Sequence, residues 1–362
     1  MMFGTLGRYF FRRYITTTIW FFLGVSGIIF LADFSETSRR MASLDGYTVP
    51  AALLFTAMRI PFILQQAIPT MTLFIGMTAL IALNRRYELV VTRAAGISVW
   101  QFIMPFATGA FLIGLFAMLV VNPVAAWGQR ESLSLEAGWR QKSDTSAKSN
   151  FLPWIRQTSD GKDTIIGAKS YQAEGTKLVD VVVVQFDSDG RVILRQDAST
   201  AKLEDGYWLL NDVLENRPGE IPTRIESARL STNLRQEYLQ ESLSQPETIA
   251  FYDLSRKIEV GQSFGLPTKP LETQFHSLLS LPLLLVAMTL IAATVSLKFS
   301  RFAQSRSVIL GGIVSGFVLY VVTVLVKAFG SSGAVPPFVA VWVPVIVATA
   351  LGATILLHQE DG

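Results

Sequence analysis

The sequence contains no cysteine and only two histidines, His276 and His358. Without cysteine, a domain on the oxidising side of a membrane has no disulfide framework, so its stability must come from its own hydrophobic core. The two histidines are far apart in the sequence, and neither lies in a metal-ligand spacing. The sequence therefore predicts neither a disulfide scaffold nor a histidine metal site.

Two signatures of catalysis are also missing. The sequence has no G-x-x-x-x-G-K-[ST] phosphate loop and no G-x-S-x-G serine nucleophile pattern. We therefore expect a chain that is not an enzyme and binds no cofactor, and any ATP-driven work would need ATP and Mg²⁺ bound by a partner. The net charge of +3 is too small to indicate nucleic-acid binding.

Charged residues are scarce and apolar runs are long. Only 16% of the residues are charged whereas 50% are hydrophobic, and the mean hydropathy is +0.40. A run of about 20 apolar residues is long enough to cross a hydrocarbon core about 30 Å thick. We find six such runs, at residues 14–32, within 51–83, and at 102–121, 278–297, 308–329 and 338–357. The chain is therefore predicted to be an α-helical membrane protein with six transmembrane helices.

The basic residues predict how the chain is oriented, because Lys and Arg near span ends stay on the cytoplasmic side. Three basic segments alternate with the spans, so all three fall on one side of the membrane. They contain Arg8, Arg12 and Arg13, then Arg85, Arg86 and Arg93, and finally Lys298, Arg301 and Arg306. Both termini are therefore predicted to be cytoplasmic, and the long segment between spans three and four to be extracytoplasmic.

That long segment has a different pattern from the rest of the chain. Short β-rich runs with hairpin turn signals between them follow one another from residue 164 to residue 233. The pattern predicts an all-β sandwich, jelly roll or open barrel. Residues 251–265 then indicate a helix that leads back to the membrane. We divide the chain into spans one to three (1–125), the β domain (126–272) and spans four to six (273–362).

Polar residues at the predicted outer membrane boundary are candidates for lipid binding, since charges near apolar spans are costly. Arg59 lies 24 residues before Leu83, so a helix rising about 1.5 Å per residue places it about 36 Å from the cytoplasmic end. The phosphate-binding candidates are Arg39, Arg40, Arg59 and Lys327, and the polar candidates beside them are Asp33, Glu36, Gln274 and His276. Ordinary snorkelling to lipid headgroups is the alternative interpretation.

The segment NRRYELVVTRAAGIS, residues 84–98, lies between spans two and three. Helical spacing places an apolar row on one face and Arg85, Glu88 and Thr92 on another. Gly96 suits a helix C-terminus, and Ser98 can cap the next helix. The segment could serve only as a positive-inside anchor, or it could be a helix that docks on a separate ATPase. The residues of the docking hypothesis are Arg85, Glu88, Leu89, Thr92, Arg93, Ala94 and Gly96.

Several segments together carry a resemblance to a known family. They are GRYFFRRY near the amino terminus, SGIIFLADF in span one, the segment at 84–98, and GFVLYVV followed by AVPPFVAVWVP. The chain resembles the lipopolysaccharide-export permeases LptF and LptG, and SGIIFLADF with Asp33 is more like LptG. It departs from the LptG members at Phe30, Glu36 and Thr37, where those members carry lysines that meet the phosphates of the substrate.

The resemblance implies a role and a set of partners. It implies a permease subunit in the bacterial inner membrane that extracts lipopolysaccharide from the outer leaflet and passes it to a periplasmic bridge toward the outer membrane. The implied partners are an LptF-type permease, an LptB-type ATPase dimer and an LptC-type single-span protein, and the implied β domain is a periplasmic jelly roll. The alternatives are an ABC permease for another envelope lipid or for lipoproteins, and a membrane-anchored periplasmic scaffold.

Overall fold

A computed structural model describes residues 4–42, 47–143, 155–159, 162–172, 177–187, 190–232, 245–263, 267–297 and 306–361. The chain forms two compact units. One unit combines Met1–Trp139 with Pro246–Gly362, and the other is Arg140–Gln245. These units reflect internal packing, whereas the predicted division at 125/126 and 272/273 concerns entry into the membrane and stays a prediction.

Nine α-helices are present in the described residues, and they account for nearly all of the first unit. In chain order they are α1 (Thr5–Met41), α2 (Val49–Arg85), α3 (Glu88–Ala94), α4 (Val99–Phe116), α5 (Asn122–Ser143), α6 (Phe251–Ser263), α7 (Lys269–Ser296), α8 (Arg306–Ser331) and α9 (Pro337–Asp361). The predicted helix that begins at residue 251 is confirmed as α6.

Within the described residues, six helices are long and apolar enough to cross a membrane, which confirms the six predicted spans. They are Thr5–Met41, Val49–Arg85, Val99–Glu136, Lys269–Ser296, Leu310–Ser331 and Pro337–His358. Helix α7 is central, since 72% of its most apolar window is buried, against 6% for α1. It packs against α2, α4, α8 and α9. The approach of α4 requires a glycine, because a Cβ at Gly114 would collide with the backbone of Pro282 in α7.

The third span contains a π-helical segment, Ala117–Val121, between α4 and α5. A π-helical turn changes the hydrogen-bonding pattern of a helix locally. The carbonyl oxygen of Leu119 accepts a hydrogen bond from the Tyr252 hydroxyl at 2.9 Å, and Asn122 Oδ1 accepts one from the backbone N–H of Phe251 at 2.7 Å. Helix α6 is therefore fastened at its start to the junction of α4 and α5.

The second unit contains an antiparallel sheet of six described strands. They are β1 (Ile155–Ser159), β2 (Lys162–Gln172), β3 (Lys177–Phe186), β4 (Val192–Glu204), β5 (Tyr207–Asn216) and β6 (Thr223–Ser231). Each strand pairs with the next one in the sequence. The all-β prediction is confirmed, and the predicted β-rich runs between residues 164 and 233 correspond to β2 through β6. The jelly-roll topology implied by the family resemblance stays a prediction, because the described strands form a simple meander.

The core of the sheet lies on one face, but strict alternation is interrupted at one level in several strands. The buried residues change from Leu178 to Val181 in β3 and from Leu210 to Val213 in β5, so two residues intervene instead of one. The register across β3, β4 and β5 is the same on both sides of this level, although the residues at the level itself are not paired. The extra residue therefore lies at the same level in neighbouring strands, so the core stays on one side of the sheet.

Two aspartates at this level adopt left-handed backbone conformations. Asp180 has φ of 52° and Asp212 has φ of 54°, a region that Asp tolerates better than most residues. The Asp212 carboxylate accepts hydrogen bonds from Arg224 at 2.6 and 2.8 Å and from the Ser199 hydroxyl at 2.9 Å. The bonds from Arg224, and then the bond from Ser199, lower the pKa of the Asp212 carboxyl below its ordinary value.

Candidate functional site

The segment at residues 84–98 forms a short helix enclosed by two sharp breaks. Helix α2 ends at Arg85, and Tyr87 then takes a left-handed conformation with φ of 59°. Helix α3 follows, and Gly96 turns the chain again with φ of 78°. The Ser98 side chain accepts a hydrogen bond from the backbone N–H of Gln101, in a reciprocal capping box that starts α4. The short helix, the Gly96 turn and the Ser98 cap have the predicted geometry.

One part of the sequence interpretation of this segment is wrong. Arg85 is the last residue of α2, and the left-handed Tyr87 separates it from α3. Arg85 therefore does not share a helical face with Glu88 and Thr92. The Thr92 hydroxyl instead donates a hydrogen bond to the carbonyl oxygen of Glu88 at 2.7 Å.

Helix α3 presents an apolar outer surface and one buried anchor. Leu89 is fully buried in the main core of the helical unit. Tyr87 and Val91 are 71% and 66% exposed, and Val90 and Ala94 are exposed as well. A cluster of exposed apolar side chains beside charged residues is typical of a surface that binds a protein.

The Glu88 carboxylate connects α3 to the first helix. The Tyr9 hydroxyl donates a hydrogen bond to Glu88 Oε2 at 3.0 Å, across 79 positions of sequence. Arg85, the last residue of α2, and Arg86, which follows it, are both exposed. Glu88 is therefore in contact with α1, a connection that helical spacing alone did not predict.

The candidates predicted at the outer boundary form three separate groups. Arg59 Nη1 lies 3.2 Å from Asp33 Oδ1, which joins α2 to α1, and its guanidinium lies 5.3 Å from the centre of the Phe55 ring. Both side chains are largely buried, with 13% of Asp33 and 24% of Arg59 exposed. Two residues that the sequence assigned to different roles are thus paired with each other.

The second group lies within α1. Arg39 Nη2 is 2.7 Å and Arg40 Nε is 3.4 Å from oxygens of the same Glu36 carboxylate. The Arg39 side chain is 77% exposed. Solvent-accessible pairs of this kind on one helix are weak and easily exchanged. Glu36 therefore partly neutralises the basic pair without fixing its position.

The third group joins α7 to α8. Lys327 Nζ donates a hydrogen bond to Gln274 Oε1 at 2.7 Å, and the Gln274 side chain is buried. The neighbouring His276 ring contacts the rings of Phe275 and Phe338, each with centroids 5.6 Å away. The Gln274 amide carries no charge, so this hydrogen bond does not neutralise Lys327.

The described residues contain no group of three or more His, Asp or Glu side chains that could hold a metal ion. The geometry of the helical unit thus offers two kinds of candidate site. One is the apolar surface of α3, and the other is the set of cations on α1, α2 and α8.

Comparison with known proteins shows the family to which the chain belongs. Residues 8–358 match the family described as "Lipopolysaccharide export system permease LptF/LptG". The chain belongs to the LptF/LptG family. It is 25% identical over 356 residues to the lipopolysaccharide export system permease protein LptG of Escherichia coli K12, covering 94% of this chain and 95% of that protein. It is 22% identical over 368 residues to LptG of Haemophilus influenzae, covering 99% of this chain and 100% of that protein.

This family membership agrees with the resemblance found in the sequence, including its closer likeness to LptG. The match covers α3, the β sheet and the six membrane helices, apart from the first three residues of α1 and the last three of α9. The chain is therefore a permease-family member with a multi-pass helical unit and an inserted β domain.

Proposed function

We propose that this chain is the LptG-type permease subunit of an ABC transporter that exports lipopolysaccharide. In this role it would extract lipopolysaccharide from the outer leaflet of the inner membrane and pass it to a periplasmic bridge toward the outer membrane. The observation that carries the proposal is the family match over residues 8–358, which covers the β domain and the membrane helices, apart from three residues at the start of α1 and three at the end of α9. The termini would be cytoplasmic and the β domain periplasmic.

Helix α3 would be the docking element for an LptB-type ATPase dimer, which binds the ATP and Mg²⁺. Its exposed apolar surface around Tyr87 and Val91 suits a groove on a partner. Its buried anchor, Leu89, lies in the same core cluster as residues of α2, α4 and α7. A movement imposed on α3 would therefore reach the spans by side-chain packing, and Glu88 would extend it to α1 through Tyr9.

The cations of the helical unit would hold the phosphates of the lipid. Arginine forms paired hydrogen bonds with phosphate oxygens, and lysine acts as a point charge. Arg39, Arg40, Arg59 and Lys327 are the proposed phosphate ligands, and Asp33, Glu36, Gln274 and His276 are the polar groups that surround them. An LptF-type permease would close the lipid cavity from the opposite side, and an LptC-type protein would receive the substrate.

ATP-dependent release of lipopolysaccharide tests this function. The chain is reconstituted in proteoliposomes with LptB-, LptF- and LptC-type subunits and loaded with lipopolysaccharide. We expect Glu88→Arg to reduce both retention of the ATPase and release of lipid, because it breaks the Tyr9 contact and reverses the charge on α3. The matched control is Glu220→Arg, the same change in an exposed turn of the β domain.

Two outcomes would contradict the proposal in different ways. Release that is unaffected by Glu88→Arg would remove the docking role from α3. Analysis of lipids that copurify with the untreated complex would identify another envelope lipid or a lipoprotein if either were the true substrate. A chain that acts without any ATPase would instead be a periplasmic scaffold.

A further inference from the structure

The contact between α1 and α2 contains an ion pair. Asp33 Oδ1 and Arg59 Nη1 are 3.2 Å apart, and both side chains are mostly buried. The pair joins two consecutive spans near the segment that connects them. It therefore bears on how closely the outer parts of α1 and α2 pack, unlike the Glu36 pairs, whose members all lie on α1.

The same contact region has an unusual number of unsatisfied polar atoms. Asp33 Oδ2, Arg59 Nη1, Thr37 Oγ1 and Thr56 Oγ1 are buried and have no hydrogen-bond partner among the described residues. Thr37 lies one turn after Asp33 on α1, and Thr56 lies one turn before Arg59 on α2. Buried polar atoms in folded proteins are nearly always hydrogen-bonded, so a group of exceptions needs an explanation.

The ion pair itself is incomplete. Arg59 Nη1 approaches the Asp33 carboxylate closely, yet it does not meet the angular requirements of a hydrogen bond. A guanidinium has several N–H donors arranged for paired bonding to a carboxylate or a phosphate. The arrangement compensates the charge of Arg59 and leaves hydrogen-bonding capacity unused.

We propose that Asp33 and the phosphate of an anionic lipid headgroup compete for Arg59, so that the ion pair is an exchangeable latch between α1 and α2. This inference rests on the proposed function and adds a regulatory role for Asp33. A phosphate satisfies more of the guanidinium's donors than Asp33 does. Exchange keeps Arg59 compensated throughout, and it occurs only when the phosphate bonds to Arg59 strongly enough to offset the cost of the Asp33 carboxylate losing its partner.

The latch has a quantitative consequence for binding. If the pair is closed for about nine-tenths of the time, the apparent affinity for the headgroup is about tenfold lower than that of an open guanidinium. Asp33→Asn removes the competitor and is expected to raise the affinity by about this factor. Arg59→Gln removes the shared cation and is expected to lower it. A purely structural ion pair predicts that neither variant binds the lipid more tightly.

Lipid titration provides the main test. The full chain, purified with its accompanying subunits, is placed in phosphatidylcholine nanodiscs and titrated with fluorescent lipopolysaccharide, with fluorescent phosphatidylglycerol, and with inorganic phosphate as competitor. Tighter binding of lipopolysaccharide by Asp33→Asn, with weaker binding by Arg59→Gln, supports the latch. Equal tightening for phosphatidylglycerol supports it for phospholipid headgroups in general, and competition by inorganic phosphate supports recognition of the phosphate alone. Glu131→Gln, on the exposed surface of α5, is the control.

A second variant covers the case in which Asp33→Asn fails to assemble. Arg59→Lys keeps the positive charge but loses paired bonding to phosphate. We expect it to bind lipopolysaccharide less tightly while the complex remains assembled. Unchanged affinity in Arg59→Lys would show that the guanidinium is not the phosphate ligand, which overturns the proposal.

Distance measurements test the movement directly. The chain has no native cysteine, so Leu31→Cys in α1 and Leu54→Cys in α2, at two exposed positions, introduce a single pair of spin labels into it. We expect lipopolysaccharide, or Asp33→Asn without lipid, to broaden the distance distribution between α1 and α2. A distribution unaltered by both would overturn the latch.

The outcomes also separate this inference from the proposed function. If the unmodified complex does not bind lipopolysaccharide, the proposed function fails. If the unmodified complex binds lipopolysaccharide but Asp33→Asn binds it equally or less tightly, only the latch fails.

Discussion

Replacement of Leu89 by alanine should disconnect α3 from the spans while leaving its docking surface in place. Leu89 is fully buried among core residues of neighbouring helices. Removing a buried leucine side chain costs about 2–5 kcal/mol, because it loses apolar burial and leaves a cavity. Val91 on the same helix is 66% exposed, and alanine there should change stability by no more than about 0.5 kcal/mol.

Thermal unfolding and lipid release by the reconstituted complex separate the effect of Leu89→Ala from that of Val91→Glu. Leu89→Ala should lower the melting temperature of the complex by several degrees, retain the ATPase during purification, and release less lipopolysaccharide per ATP hydrolysed. Val91→Glu should leave the melting temperature nearly unchanged and lose the ATPase, because it places a charge on the apolar docking surface. If Leu89→Ala were destabilised yet released lipid with unchanged efficiency per ATP, transmission through this side chain would be refuted.

Three further predictions concern the β domain and α6. Trp208→Ala should lower the free energy of unfolding by about 3–5 kcal/mol, because Trp208 is fully buried. Trp208→Phe should lower it much less, and thermal unfolding followed by circular dichroism compares the two variants. Arg224 lowers the pKa of the Asp212 carboxyl. The stabilising contribution of the ionised carboxylate is therefore present at neutral pH and is lost as pH falls through the lowered pKa, so wild type and Asp212→Asn should converge in stability below about pH 4. Asn122→Ala removes the acceptor of the Phe251 N–H and should destabilise the start of α6 by about 1 kcal/mol, seen as faster hydrogen exchange there.

The membrane spans and most strands could be predicted because their signals are local. A span needs only a long apolar run, and each of the six predicted runs lies within a helix of the structure to within one residue. Strands β2 to β6 are rich in β-forming residues and are separated by turn residues. Strand β1, Ile155–Ser159, was missed because its five residues are mostly polar and its strand character depends on pairing with β2.

The connections within the candidate site could not be predicted, because they depend on which helices are neighbours. Asp33 and Arg59 were both identified as costly charges, but their pairing requires α1 and α2 to pack with those two turns facing each other. The left-handed Tyr87 is equally invisible to helical periodicity, which is why Arg85 was placed on the wrong face. Local patterns thus identified the residues, and tertiary packing determined their partners.

The interrupted alternation of the sheet divides its strands into two halves with opposite parity. In β3, the even-numbered Leu178 faces the core on one side of Asp180, and the odd-numbered Val181 and Val183 face it on the other. Deleting Asp180 alone would restore strict alternation in β3, but it would shift the residues before the deletion by one position against their partners in β4. Insertions and deletions at this level can therefore be tolerated only when neighbouring strands change together, so the whole row must vary as a single unit.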